Sequence, residues 1–442
     1  MKTSLSVDKL EALPPKLIAI SILFPIESSF LVAGLRLNIT RILLLLFTPS
    51  IILRLFKKNS NGQYRFVLSD ALVLLTGCWM IFAPAVVDGF GPALNHAGPT
   101  ALEFCIPYYC MRAFLSRHGQ ATSFATLLCR AVAIVGLLAV LDPLSQRWII
   151  RDTVGNLFGH LYFRPDYVAD SYRLGILRAT STFDHPIILG FVSGVALLLA
   201  AALPMRRKRV IMFCCAVGAF AALSSAPLQA IILGFALLLY NRMFEQLQFR
   251  WLILICIGAM IVSATFVVSN SPIGFIISHL IYDPESGYYR LWTWYSVIDA
   301  VSVSPWYGLG FNTIVDETDI NHSIDALWLV IAVFCGVPGA VLVALSMFGA
   351  VSLRSSGPKV VLTPVESKLG TTLGILIFLT FFISFTVDLL GASWLLISLI
   401  MGLRATIGEL GHLSYQAVSG VPKLGKDQLT RVSQHSPRDA TG

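Results

Sequence analysis

The chain has 442 residues, 56% of them hydrophobic and only 13% charged, with a mean hydropathy of +0.76. A soluble domain carries about a quarter charged residues, so this composition excludes a soluble globular protein; apolar runs recurring from residue 17 to 405 define a polytopic membrane protein. The net charge of +8 comes as short basic clusters between apolar runs: Arg54, Lys57, Lys58 and Arg65; Arg206 to Arg209; and Arg354 with Lys359 and Lys368. That is the positive-inside pattern of cytoplasmic loops, and it argues against nucleic acid as a partner.

At about 20 residues per span, the sequence reads as an all-α polytopic protein of about 12 transmembrane helices. They lie near 17–34, 39–56, 67–87, 98–115, 122–141, 186–204, two within 210–240, 251–269, 324–350, 369–390 and 391–405. Residues 1–16 form a cytoplasmic N-terminus, and 406–442 a cytoplasmic tail whose polar end has no pattern. No small-residue cleavage site follows the first apolar run, which is therefore expected to be a retained span. Residues 210–240 are too long for one span, and Ser224-Ser225-Ala226-Pro227 interrupts them. Proline removes a helical hydrogen bond and clashes with the preceding turn, so two short helices are expected to meet there. All eight cysteines fall inside apolar runs and read as small core residues.

With the basic clusters inside, both termini face the cytoplasm, and the loops near 142–185 and 270–323 share the outer face with the proline break. The first loop carries Arg147, Arg151, Arg164, Arg173 and Arg178 against Asp142, Asp152, Asp166, Asp170 and Asp184. Arg147, Arg151 and Arg164 read as partners of loop aspartates or lipid head groups. Arg173 stands evenly between that reading and anion binding. Arg178 sits beside Thr180, Ser181 and Thr182 at the mouth of a span, where a guanidinium fork and helix N–H groups suit a phosphate. Asp184 precedes His185 and Pro186 and reads as the cap of the helix that Pro186 begins; His185 is open.

The second loop has Arg290 as the only Lys or Arg between Arg250 and Arg354. The stretch around it, with Tyr288, Tyr289, Trp292, Trp294 and Tyr295, reads as an aromatic-rich helix, and an interfacial role accounts for Trp292 and Tyr295. It does not account for a lone arginine among acids. Pro305, Gly308 and Gly310 form a turn that lets backbone approach a ligand closely. His322 and Asp325 open the next span, where a histidine can take a hydroxyl proton or simply cap. No metal motif and no Walker loop is present, so neither a metal nor a nucleotide cofactor is expected.

The stretches R-A-T-S-T-F-D-H-P-I-I-L-G (178–190), G-Y-Y-R-L-W-T-W (287–294), S-P-W-Y-G-L-G-F (304–311) and N-H-S-I-D-A-L-W (321–328) resemble the O-antigen ligase/polymerase family of bacterial envelope glycan assembly. The likeness runs from about residue 17 to 405. It implies a GT-C-like membrane glycosyltransferase working at the periplasmic face of the inner membrane. The implied donor is a glycan on undecaprenyl pyrophosphate, with no cofactor, and a flippase and a chain-length regulator are the implied pathway partners. Arg178 and Arg290 match the family arginines implied to hold the pyrophosphate, and His322 the histidine implied to activate or orient the acceptor hydroxyl. Arg173, Asp184, His185, Tyr289, Trp294 and Asp325 are the expected substrate contacts around them. Many relatives carry a Ser-Arg pair after the seventh span; here the residues are Ser225-Ala226-Pro227, and Arg173 is the candidate replacement cation. The first stretch leans toward a polymerase over a ligase. A flippase or permease is the rival of another class. It would need charges within spans, and Glu27, Asp70, Glu103 and Asp388 show no basic partner in the sequence.

Overall fold

The structure, a computed structural model, describes residues 12–32, 35–60, 66–159, 171–268, 284–311, 324–351 and 362–419. It is an all-α membrane protein: seven helices among these residues are long and apolar enough to cross a membrane. In hydrocarbon, backbone groups find partners only within a helix or a closed barrel, so long apolar runs become helices. In chain order the helices are α1 (Leu13–Ser21), α2 (Ile39–Ser60), α3 (Leu68–Asp88), α4 (Phe90–Phe114) and α5 (Gln120–Leu138), then the short α6 (Leu141–Ser145) and α7 (Ile149–Leu157). They continue as α8 (Pro186–Ala202), α9 (Lys208–Ala221), α10 (Ser225–Met243), α11 (Arg250–Val268), α12 (Pro284–Val303), α13 (Leu327–Val351), α14 (Pro364–Ile383) and α15 (Ala392–Ser419).

Two antiparallel hairpins complete the described elements: β1 (Ser29–Val32) with β2 (Leu35–Asn38), and β3 (Tyr172–Arg173) with β4 (Ile176–Leu177). The first replaces half of an expected span. Residues 17–34 do not form one helix: α1 ends at Ser21, and the chain turns through Pro25 and Glu27 into β1. Pro25 has no amide hydrogen with which to continue the helix. The expected break in 210–240 is present, with α9 and α10 separated by residues 222–224.

α4 is the central post of one half, packed by α2, α3 and α15, while α13 packs on α3. Close approach depends on missing side chains: a Cβ at Gly402 would collide with the Tyr108 carbonyl, and one at Gly349 with Leu72. The other half gathers α9, α10 and α14 around α8, and α5 packs against α8 and α9. There Gly136 of α5 and Gly218 of α9 face each other so closely that a Cβ on either would strike the other helix.

At the basic face the ends of four helices are tied by buried charge. Arg112 of α4 donates to Asp70 of α3 (3.0 Å) and Glu409 of α15 (2.8 Å), and Lys58 of α2 reaches Glu409 at 3.0 Å. The Tyr108 hydroxyl donates to the same Asp70 at 2.7 Å. Removing one member of such a group leaves the others buried and uncompensated, at a cost of about 3–5 kcal/mol. Arg112→Leu should therefore lower the thermal unfolding midpoint in detergent sharply, whereas Arg117→Leu, on the exposed neighbouring turn, should leave it unchanged.

Candidate functional site at the face opposite the basic clusters

The 178–185 segment is where the structure departs most from a surface loop. Arg178, Thr180, Ser181 and Phe183 are buried. The cause is Asp142, whose Oδ2 accepts the backbone N–H groups of Thr180 (2.9 Å) and Ser181 (2.7 Å). Ser181 adopts a positive φ of 53° and donates its hydroxyl to the Val135 carbonyl at 3.0 Å. Arg178 is held by its main chain and side chain together. Its N–H donates to the Ser171 carbonyl, its carbonyl accepts from the Trp148 indole at 3.1 Å, and its Nε donates to the Ala222 carbonyl at 3.3 Å. That last bond joins the first loop to the α9–α10 break, as the sequence placed them. Arg173 sits half-buried in the short β3–β4 hairpin just outside.

Arg151 was expected to pair with loop aspartates or lipid head groups; instead it is one of the most buried side chains in the protein. Its Nε donates to Glu27 at 2.6 Å and one terminal nitrogen to the Asp184 carbonyl at 3.0 Å, with Trp148 stacked at 5.4 Å. Among the described residues, Arg151 Nη2, Glu27 Oε2 and Thr182 Oγ1 make no further hydrogen bond. The signal for this pair is legible in part: Glu27 stands out in the sequence as an isolated acid, but its partner lies 124 residues away.

The expected capping role of Asp184 belongs to His185. The His185 Nδ1 accepts the Ile187 N–H at 3.2 Å, and φ and ψ of −138° and 143° are those of an N-cap. His185 retains exposed surface, but desolvation by the surrounding protein and the charges of Arg178 and Arg151 push its pKa down to about 4. The imidazole is thus neutral at pH 7, as an accepting Nδ1 requires. Asp184 instead lies beside Gly391 at the start of α15. Burial raises its pKa, against the pull of Arg151.

The second loop meets this region through helix ends. Arg290 is half-buried on α12, four residues before Trp294, whose indole donates to the Phe385 carbonyl at 2.9 Å and whose ring stacks on Phe385. Trp292 and Tyr295 are 52% and 63% exposed, the surface an interfacial role asks for. Tyr289 lies on α12, but its side chain, like the whole of His322, is outside the described residues. The Pro305–Gly310 turn does make a close backbone approach, though to protein. Leu309 N–H donates to the Val333 carbonyl (2.7 Å) and Val337 N–H to the Pro305 carbonyl (2.8 Å), against the kink at Gly336 (φ 73°). Phe311 N–H then donates to Asp88 at 2.6 Å.

Asp325, half-buried just ahead of α13, is anchored by the Leu327 N–H bond to the Val387 carbonyl (3.1 Å), which brings it to Asp388. Asp388 joins the two loops. Burial, together with the charges of Asp184 and Asp325, pushes its pKa up to about 6. Among the described residues no three His, Cys, Asp or Glu side chains stand where they could share a metal ion. The structure therefore brings Arg178, Asp184, His185, Asp325 and Asp388 into one electrostatic neighbourhood, with Arg151 and Glu27 beneath it. Sequence reasoning had not singled out Arg151, Asp142 or Asp388 for this site. No protein-family model matches the chain, and no curated protein sequence matches it significantly.

A carboxyl with a folded-state pKa near 6 and an unfolded value near 4 favours folding at low pH, and this contribution is lost as pH rises through 6. Asp388→Asn should accordingly melt higher than the parent at pH 7.5, and the gap should close as pH falls toward 4. Thermal unfolding in detergent across that range checks it; a gap independent of pH would remove Asp388 from the cluster.

Proposed function

We propose that this protein is a membrane glycosyltransferase that polymerises glycan repeats carried on undecaprenyl pyrophosphate. In this reading it is a GT-C-like bundle of about 12 helices in the bacterial inner membrane, with cytoplasmic termini and its site at the periplasmic face. The observation that carries the reading is the junction of the 178–185 turn, the α9–α10 break and the Asp388 connection at one end of the bundle. Fixed arginines and titratable acceptors meet there, away from the basic clusters.

The chemistry asks for both. An acceptor hydroxyl oxygen attacks the anomeric carbon, the bond from that carbon to the pyrophosphate oxygen breaks, and the pyrophosphate leaves with the electron pair. Arg178 and Arg290 supply positive charge where that leaving group develops. The hydroxyl proton goes to His322 in this reading. Arg173 serves at the rim, and Tyr289 and Trp294 offer aromatic surface to sugar rings. A ligase that moves finished glycan to lipid A–core would use the same chemistry with another acceptor. A lipid-linked glycan flippase gains support from one observation: the buried acids Glu27, Asp70 and Glu103 each have an arginine partner, the paired interior charge a transporter would carry.

Arg290→Ala and His322→Ala should abolish chain growth at unchanged protein level, and Arg290→Lys should restore little, because the bidentate fork is lost. Gene deletion with surface glycan resolved by size separates the classes. Single-repeat products mean polymerase, full-length chains left on the carrier mean ligase, and repeats held in the cytoplasmic leaflet mean flippase. Wild-type modal chain length in the His322 or Arg290 variant would end the catalytic assignment.

A further inference from the structure

The short helix α7 has three sectors, and protein closes only one of them. Arg151 and Gly155, with Trp148 just ahead, form the buried sector. Asp152, Thr153 and Asn156 form a polar sector, which Ile149 alone interrupts. Roughly opposite the polar sector runs a stripe of Ile150, Val154, Leu157 and the adjoining Phe158, the i, i+4, i+7, i+8 spacing of an apolar helix face. On a helix bathed in water that stripe would pack on the core. Here the core receives the arginine and the glycine, while Leu157 is 76% exposed and the other three are only half-buried.

The β1–β2 hairpin has the same character. Phe30, Leu31 and Val32 follow one another on β1 and all are exposed, so apolar side chains stand uncovered on both faces of the ribbon. Phe30 meets Phe158 edge to face with ring centroids 5.3 Å apart, which joins the hairpin to the end of the α7 stripe. The Arg151–Glu27 bond clasps the same two pieces, because Glu27 lies two residues before β1. Beyond β2 the chain enters α2 at Ile39, the end of that helix away from Lys57 and Lys58. α2 is long and apolar enough to cross a membrane, and its Ile42, Leu45 and Leu46 are exposed. Apolar surface thus continues from a membrane-crossing helix through the hairpin to α7.

The backbone and the polar sector set the depth. A two-stranded ribbon carries N–H and C=O groups on its outer edges, which hydrocarbon leaves unsatisfied but water and lipid head groups satisfy. We propose that the β1–β2 hairpin and α7 are seated together in the head-group layer of the leaflet opposite the basic clusters. The stripe and the β1 side chains rest on the acyl chains, and Asp152, Thr153 and Asn156 turn to water, as in an interfacial amphipathic helix. The partner is the phospholipid leaflet that the spans themselves cross, so this seating holds whether the protein transfers glycans or moves them. From the seated helix Arg151 reaches the Asp184 carbonyl at 3.0 Å, so the membrane steadies the piece that holds the 178–185 turn.

The test places the photoreactive residue p-benzoylphenylalanine singly at Leu31, Leu157 and Thr153 of the full-length protein in phosphatidylcholine nanodiscs, with Leu46 of α2 as the lipid-facing reference. Each protein is first checked for the parent's thermal midpoint. Should the probe at Leu157 unfold the chain, Phe158, whose shape the probe shares, takes its place. Mass spectrometry after illumination should find phospholipid adducts at Leu31 and Leu157 at the level of Leu46, and about fivefold fewer at Thr153. Absence of adducts at Leu31 and Leu157 while Leu46 is labelled, or equal labelling at Thr153, would overturn the proposal. So would crosslinks to a second copy of the chain, or in native membranes to another protein, in place of lipid.

Discussion

A charge buried in this fold has to be paired, and the pairs it finds hold the helices in place. Desolvating an isolated carboxylate or guanidinium costs several kcal/mol even after relaxation, so an acid inside an apolar bundle fixes the position of whichever basic group answers it. Arg112 with Asp70 and Glu409 fixes the ends of α3, α4 and α15; Arg41 with Glu103 fixes α2 on α4; Arg151 with Glu27 fixes α7 against the turn after α1. Each of these ties joins segments far apart in the chain. Apolar packing alone, between helices rich in Leu, Ile, Val and Phe, would specify their rotation and register less sharply.

The same constraint explains why the 178–185 turn is buried. A turn carries unsatisfied backbone donors, and these are costly away from water. Asp142 offers one carboxylate oxygen to two of them, and the Arg178 side chain in turn satisfies the Ala222 carbonyl at the α9–α10 break. Positive and negative groups are thereby fixed by the fold itself. The glycosyl transfer proposed above would need that kind of preorganisation to stabilise its leaving group, because reorienting dipoles during reaction would consume the gain.

The helices were legible because lipid forces the relation between apolar runs and helices, and the proline break was legible because proline acts locally. The end of the first span at Ser21 was less so, since Pro25 and Glu27 lie within a run that is apolar on average. The site was legible as composition but not as geometry. A lone Arg290 and a Thr-Ser-Thr run beside Arg178 stand out in a sequence, whereas Arg151 looks like any loop arginine until Glu27 is seen 2.6 Å away. Asp184 and His185 show the limit most plainly. Both residue types cap helices; in the structure Arg151 holds the Asp184 carbonyl and the Asp184 carboxylate lies beside Gly391, neighbours that no local pattern contains.

The position of Arg41 shows how a structural tie can also divide two cavities. Its bond to Glu103 is needed to keep that carboxylate from standing alone inside the bundle, so the guanidinium cannot swing far from α4. Yet a guanidinium has five N–H donors. Besides the Nε bond to Glu103, one terminal nitrogen donates to the Arg36 carbonyl at 3.2 Å, which spends only part of that capacity. The guanidinium also lines both the apolar cleft between α2 and α3 and the small cavity that reaches Asp184, so one ion pair sets the spacing of two helices and the boundary between two cavities.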